Sequence, residues 1–130
     1  MILVLGGVNM EDSILDTIKK LLGAENMAEF DDNIKIFINS AINVLTENGI
    51  GDPKGFRITG STETWSDLIT NDNPILFELC KEFIYLRVKM VFDPPSIGSL
   101  NSAMKEQIQE DLWRIREQAE PADYFNTNNN

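Results

Sequence analysis

The segment PILFELCKEFIYLRVKMVF, residues 74–92, constrains the fold more than any other part of the chain. Read as a helix, it places Ile75, Leu76, Leu79, Cys80, Phe83, Ile84, Leu86, Val88, Met90 and Val91 around most of its circumference. One-sided burial cannot satisfy such a helix; it has to be central, with neighbours on several sides. Its start is written in NDNP, residues 71–74, where Asp72 or Asn73 can cap and Pro74 takes the first helical position, at which a missing donor does no harm. Its end is written in Asp93, Pro94 and Pro95. Tandem prolines fix their own φ angles, remove two backbone donors and push Asp93 out of the α region, so these three residues form a rigid break and a candidate hinge.

The rest of the chain supplies the neighbours. A first helix is expected over Glu11–Leu22, capped by Asn9, with Glu11 and Asp12 at the positive end of the dipole and Lys19-Lys20 at the negative end before Gly23. A second is expected from Asp31 to about Glu47, with Asp31 or Asp32 as cap, Asn48-Gly49 as a left-handed stop, and an apolar face of Ile34, Phe37, Ile38, Ala41, Ile42 and Leu45. After the proline break another runs from about Ser99 to Glu117, with Leu100, Met104, Ile108, Leu112 and Ile115 as its stripe. Thr64-Trp65-Ser66-Asp67 has the S/T-x-x-D form of a capping box and opens a short helix over Trp65–Ile69. Residues 50–64 have no helical period; Phe56 and Ile58 alternate with Arg57 and Thr59, as in an extended arm or hairpin. The fold class is therefore mainly α: a small bundle of four longer helices, a short helix and a short extended or β arm.

At 130 residues the chain is one domain's worth of sequence. The expected division is an extension over residues 1–9, either an alternative start or non-native, a helical domain over 10–120, and a disordered polar tail over 121–130. The opening MILVLGGVNM lacks a basic n-region, and its apolar run is too short to be a secretory signal or a membrane span. The lone cysteine, Cys80, lies in the apolar helical run and behaves as a small hydrophobe, which fits a reducing, intracellular compartment.

Missing residue types narrow the chemistry. With no histidine, a Ser-His-Asp or Cys-His nucleophile arrangement and an HExxH zinc site are excluded. The glycine-rich GIGDPKG, residues 49–55, is preceded by a helix and followed by an extended segment, the reverse of a phosphate loop, and reads as a tight turn. Carboxylates cluster at Glu29, Asp31 and Asp32 and at Glu63 with Asp67; helix capping and a solvated face account for them, and acid–base work would need a cleft around a pair. No calcium loop occurs, one cysteine cannot build a thiolate metal site, and no cofactor is expected. The net charge of −10 disfavours any binding that depends on neutralising phosphates.

Two side chains sit oddly on their helices. Trp113 lies off the stripe beside Arg114 and Arg116, either as a contact residue for a partner or as a ring closing the edge of the core. Arg87 falls in line with Leu76, Cys80 and Phe83 and must either snorkel or find a carboxylate.

Together, MEDSILDTIKKLLG, FDDNIKIFINSAINVLTENGIG with KGFRI and TWSDL, and YLRVKMVFDPPSIGSLNSAMKEQIQEDLWRI resemble the head–tail connector, or head-completion adaptor, proteins of tailed bacteriophages and related prophages. The resemblance covers most of residues 10–118, and its most specific part is the helix–DPP–helix unit followed by AMKEQI; the leader and the asparagine-rich tail do not match. It implies a virion protein, made in the host cytoplasm, that forms a homo-oligomeric ring of about twelve copies under the portal protein. Such a ring continues the DNA channel, lets DNA pass without tight binding, and offers a docking surface to a tail-side completion protein. It implies no catalytic residues, no cofactor and no membrane. Under this reading Phe56 and Ile58 are expected on an arm that reaches a neighbouring subunit, and Trp65, Arg87, Trp113 and Arg114 are further interface candidates. The alternative from the residues alone is an acidic helical regulator or inhibitor of a basic protein partner.

Overall fold

A computed structural model describes residues 7–119; residues 1–6 of the expected extension and the whole expected tail lie outside the described residues. Five helices follow in order: α1 (Ile14–Leu22), α2 (Asp31–Glu47), α3 (Trp65–Leu68), α4 (Pro74–Phe92) and α5 (Gly98–Ala119), with a 3-10 turn at Ala28–Phe30 leading into α2. The described residues contain no strand. A single antiparallel bridge joins Ser13 to Thr64.

As its all-round apolar sequence requires, α4 is central and packs against α5, α2 and α1. Asn73 is its cap: Asn73 Oδ1 accepts from the Ile75 and Leu76 amides at 3.0 and 3.2 Å. Phe83 and Ile84 of α4 are fully buried together with Ile34, Ile38, Ile42 and Leu45 of α2 and Ile14 and Ile18 of α1. Trp65, on α3, fills the same core. Its indole N–H donates to Thr17 Oγ1 at 3.1 Å and its ring meets Phe77 edge-on, centroids 5.7 Å apart, so the polar handle of a buried tryptophan is satisfied while its apolar surface packs.

The departures from local expectation have long-range causes. α1 begins at Ile14 with Ser13 as cap, not at Glu11 with Asn9. Backbone groups of residues 10–14 are engaged elsewhere: Met10 and Asp12 carbonyls accept from the Ser66 and Trp65 amides at 2.8 and 3.2 Å, and the Ile14 amide donates to the Glu63 carbonyl at 3.0 Å. Asn9 instead closes a turn with Asp12, its amide donating to the Asp12 carboxylate at 2.9 Å. At the start of α2 neither aspartate caps. Phe30 holds the N-cap position, and Asp31, in the first turn, pairs with Lys19 of α1 at 2.7 Å. The capping box forms as read, with Thr64 Oγ1 accepting from the Asp67 amide and Asp67 Oδ2 from the Thr64 amide. At the end of α2, Gly49 (φ 95°) makes the left-handed stop, and the Ile50 amide returns to the Leu45 carbonyl at 3.0 Å.

The aperiodic stretch after α2 is tied down by one side chain. The Asn39 carboxamide donates to the Ile58 carbonyl at 3.0 Å and accepts from the Ile58 amide at 2.8 Å, taking the place of a neighbouring strand. Glu63 closes the next turn by accepting from the Thr59 amide and hydroxyl at 3.0 and 2.7 Å. Burial pushes the Glu63 carboxyl up, but these hydrogen bonds, with those of nearby backbone amides, outweigh it and hold its pKa below the usual value.

Candidate assembly surfaces

The break after α4 is built from its own end. Asp93 leaves helical geometry (φ −153°, ψ 69°), its amide still donates to the Lys89 carbonyl at 2.9 Å, and its carboxylate pairs with Lys89 Nζ at 2.8 Å. Pro94 and Pro95 follow, and α5 opens at Gly98. Around this elbow apolar side chains face outward: Val91 and Ile97 are each 61% exposed and Leu100 is 49% exposed. Phe92 is covered on one side by Phe30 of the 3-10 turn, centroids 5.5 Å apart and edge-on.

The expected interface residues divide. Ile58 is 2% exposed and Trp65 is fully buried, so neither can meet a neighbour; an arm projecting through Ile58 is corrected to a segment folded onto its own core. The physical reason is the Asn39 clamp, which pairs both polar groups of the Ile58 backbone and turns the side chain inward. Phe56 is half-buried and packs against the same core. Arg87 snorkels, its guanidinium 5.7 Å from the Phe83 ring centroid. Trp113 projects from α5 at 61% exposure, and Arg114 beside it has Glu110 at 3.9 Å. Trp113 therefore does not close the core edge.

Reading the stripe of α5 from sequence missed Asp111. The expected apolar line holds at Ile108 and Ile115, which are buried, while Met104 and Leu112 are half-buried and Leu100 is out. Asp111 lies between Ile108 and Ile115 at helical spacing and is 0% exposed against α4. Its Oδ1 accepts from Gln107 Nε2 at 2.9 Å, and the same carboxamide reaches Glu82 of α4 at 3.4 Å. Asp111 Oδ2 is buried with no donor among the described residues. Burial, then the adjoining Glu82 carboxyl, push the Asp111 pKa up to about 7, against the opposing pull of Gln107 and the Arg114 charge. Two carboxyl groups in contact at a helix interface hydrogen-bond each other only through a shared proton. The spacing Ile108, Asp111, Ile115 was the available signal.

A groove of about 800 Å³ lies between α1, α4 and the edge of α5, floored by Leu21, Ile75, Leu79 and Tyr85. Among the described residues no group of three or more histidine, cysteine, aspartate or glutamate side chains could hold a metal ion, and no helix is long and apolar enough to cross a membrane.

Compared with known families, residues 14–122 match the model of a family described as phage connector protein. No curated protein and no solved structure matches the chain.

Proposed function

The chain belongs to the phage connector protein family, and from that premise we propose that it acts as a ring-forming subunit at the head–tail junction, seated under the portal and presenting a docking surface to the tail. The observation that carries this reading is the reach of the family match, which begins at the first residue of α1 and extends past the described end of α5, so the whole helical domain is the family's unit. The architecture is consistent with a scaffold: a central helix wrapped by others, one stiff elbow, and apolar side chains left outside at that elbow.

A ring subunit has to hold its last two helices at one angle, because an angular error repeated at every interface prevents closure. Asp93, Pro94 and Pro95 supply that constraint by stopping α4 and restricting the turn into α5. A net charge of −10 favours passage of DNA over retention, since an acidic wall repels the phosphate backbone that a basic wall would bind. Trp113 and Arg114, exposed on α5, have the character of contact residues for the portal or the tail-side protein. The role carries no catalytic step.

In-frame deletion of the gene in the phage or prophage that encodes it tests the reading. The expected particles are DNA-packaged heads and free tails that do not join; normally tailed, infectious particles would refute it.

A further inference from the structure

We propose that copies of this chain associate head to tail, with the apolar elbow of one copy (Val91, Ile97 and Leu100) seated in the α1–α4 groove of the next (Leu21, Ile75 and Leu79). This rests on the ring reading above and specifies which surfaces make the ring.

The first support is geometric. Ile75, on the groove, and Val91, at the elbow, are both on α4, separated by about 24 Å along its axis and about 160° around it. One apolar patch is a protruding corner and the other a concavity of about 800 Å³, and they face away from each other. Two different patches on opposite sides of a subunit generate a heterologous contact, the kind that propagates and closes into a ring; a single self-complementary patch gives only a two-fold dimer.

The second support is charge. On a chain of net charge −10, the groove carries Lys20, Lys81 and Arg114 against Glu78 and Glu82, a surplus of positive charge. Lys20 makes no ion pair among the described residues. At the elbow Asp93 is neutralised by Lys89, and Glu29, next in the chain to the Phe30 that covers Phe92, leaves one negative charge over. Complementary signs fix which patch meets which and oppose groove-to-groove or elbow-to-elbow pairing. Both patches are small, below the roughly 1,200 Å² of a stable pairwise interface, so two isolated copies hold each other weakly and the contact becomes durable when each copy makes it on both sides.

Covalent trapping reads a weak contact directly. Ile75→Cys and Ile97→Cys are made in separate full-length chains of distinguishable mass, with Ile36→Cys, an exposed site on α2, as control. Cys80 stays silent because it is fully buried and its thiol is pushed up to about 12 by that burial. Under mild oxidation the mixed I75C and I97C chains are expected to cross-link roughly ten-fold faster than either variant alone or than I36C mixed with I97C. Homodimers of I97C forming as fast as the mixed species would show a two-fold elbow contact and overturn the proposal, as would no cross-link above the control. Trapping of I75C by a portal subunit in place of I97C would overturn it too. If rings assemble on the portal while this pair stays unlinked, only this interface falls; if neither rings nor cross-links form, the ring reading falls with it.

Discussion

Single residues carry more of this protein's behaviour than its helical periodicity reveals. Asp111 is the clearest case. With its pKa raised to about 7, the folded chain holds a proton that the unfolded chain releases near the ordinary carboxylate value of about 4. Its contribution to stability is therefore complete below about pH 4 and is lost as pH rises through about 7. Asp111→Asn removes the titration and offers the Glu82 carboxylate a permanent donor. The variant is expected to be more stable than wild type at pH 8 by about 1–2 kcal/mol and to lose the advantage near pH 4, as read by urea unfolding at both values. An unchanged pH slope would show that Asp111 is ionised throughout. Ile58 is the second case. Because it is buried and clamped by Asn39, Ile58→Ala is expected to cost about 2–4 kcal/mol of monomer stability. An unchanged melting temperature would restore the projecting arm. Asp111 carries a sequence signal in its spacing with Ile108 and Ile115 but looks like one more surface acid on a mixed-charge helix, whereas Ile58 was not legible because it depends on a carboxamide from a different part of the chain.

At the scale of elements, sequence reading succeeds where the determinant is local. The Thr64–Asp67 capping box, the Asn73–Pro74 start of α4, the Gly49 stop and the Asp93–Pro95 break all form where they were read, because each is decided by sterics and hydrogen bonds within a few residues. It fails where backbone groups find remote partners. The first turn expected at Glu11 is absent because residues 10–14 pair with residues 63–66, a contact no window on the sequence contains. The burial of α5 is thinner than its stripe implies because its main packing partner is α4 alone. The elbow at Asp93, Pro94 and Pro95 joins those two helices. Pro94→Ala with Pro95→Ala relieves the steric block on Asp93 and restores two donors, so α4 can lengthen. Thermal stability is expected to change by no more than about 1 kcal/mol and the helical circular dichroism signal to persist, while the yield of portal-bound assemblies falls several-fold. Equal yields for variant and wild type would remove the elbow from the account.

At the scale of the molecule, what other proteins can meet is its outward faces. Trp65, Phe83 and the isoleucines of α1 and α2 fill the core. Val91, Ile97 and Leu100 are left outside around the elbow and Trp113 farther along α5, and exposed apolar patches mark contact with other proteins. A resemblance through the helix–DPP–helix unit pointed to the family that the match over residues 14–122 establishes. Which faces meet which partners was not legible, because exposure depends on how all the helices pack. The most direct test mixes the purified chain with the portal ring of its own phage and weighs the product by native mass spectrometry, with electron microscopy to locate the added density. The account predicts a closed ring of many copies stacked coaxially on the portal. A chain that stays monomeric beside an unaltered portal would contradict it.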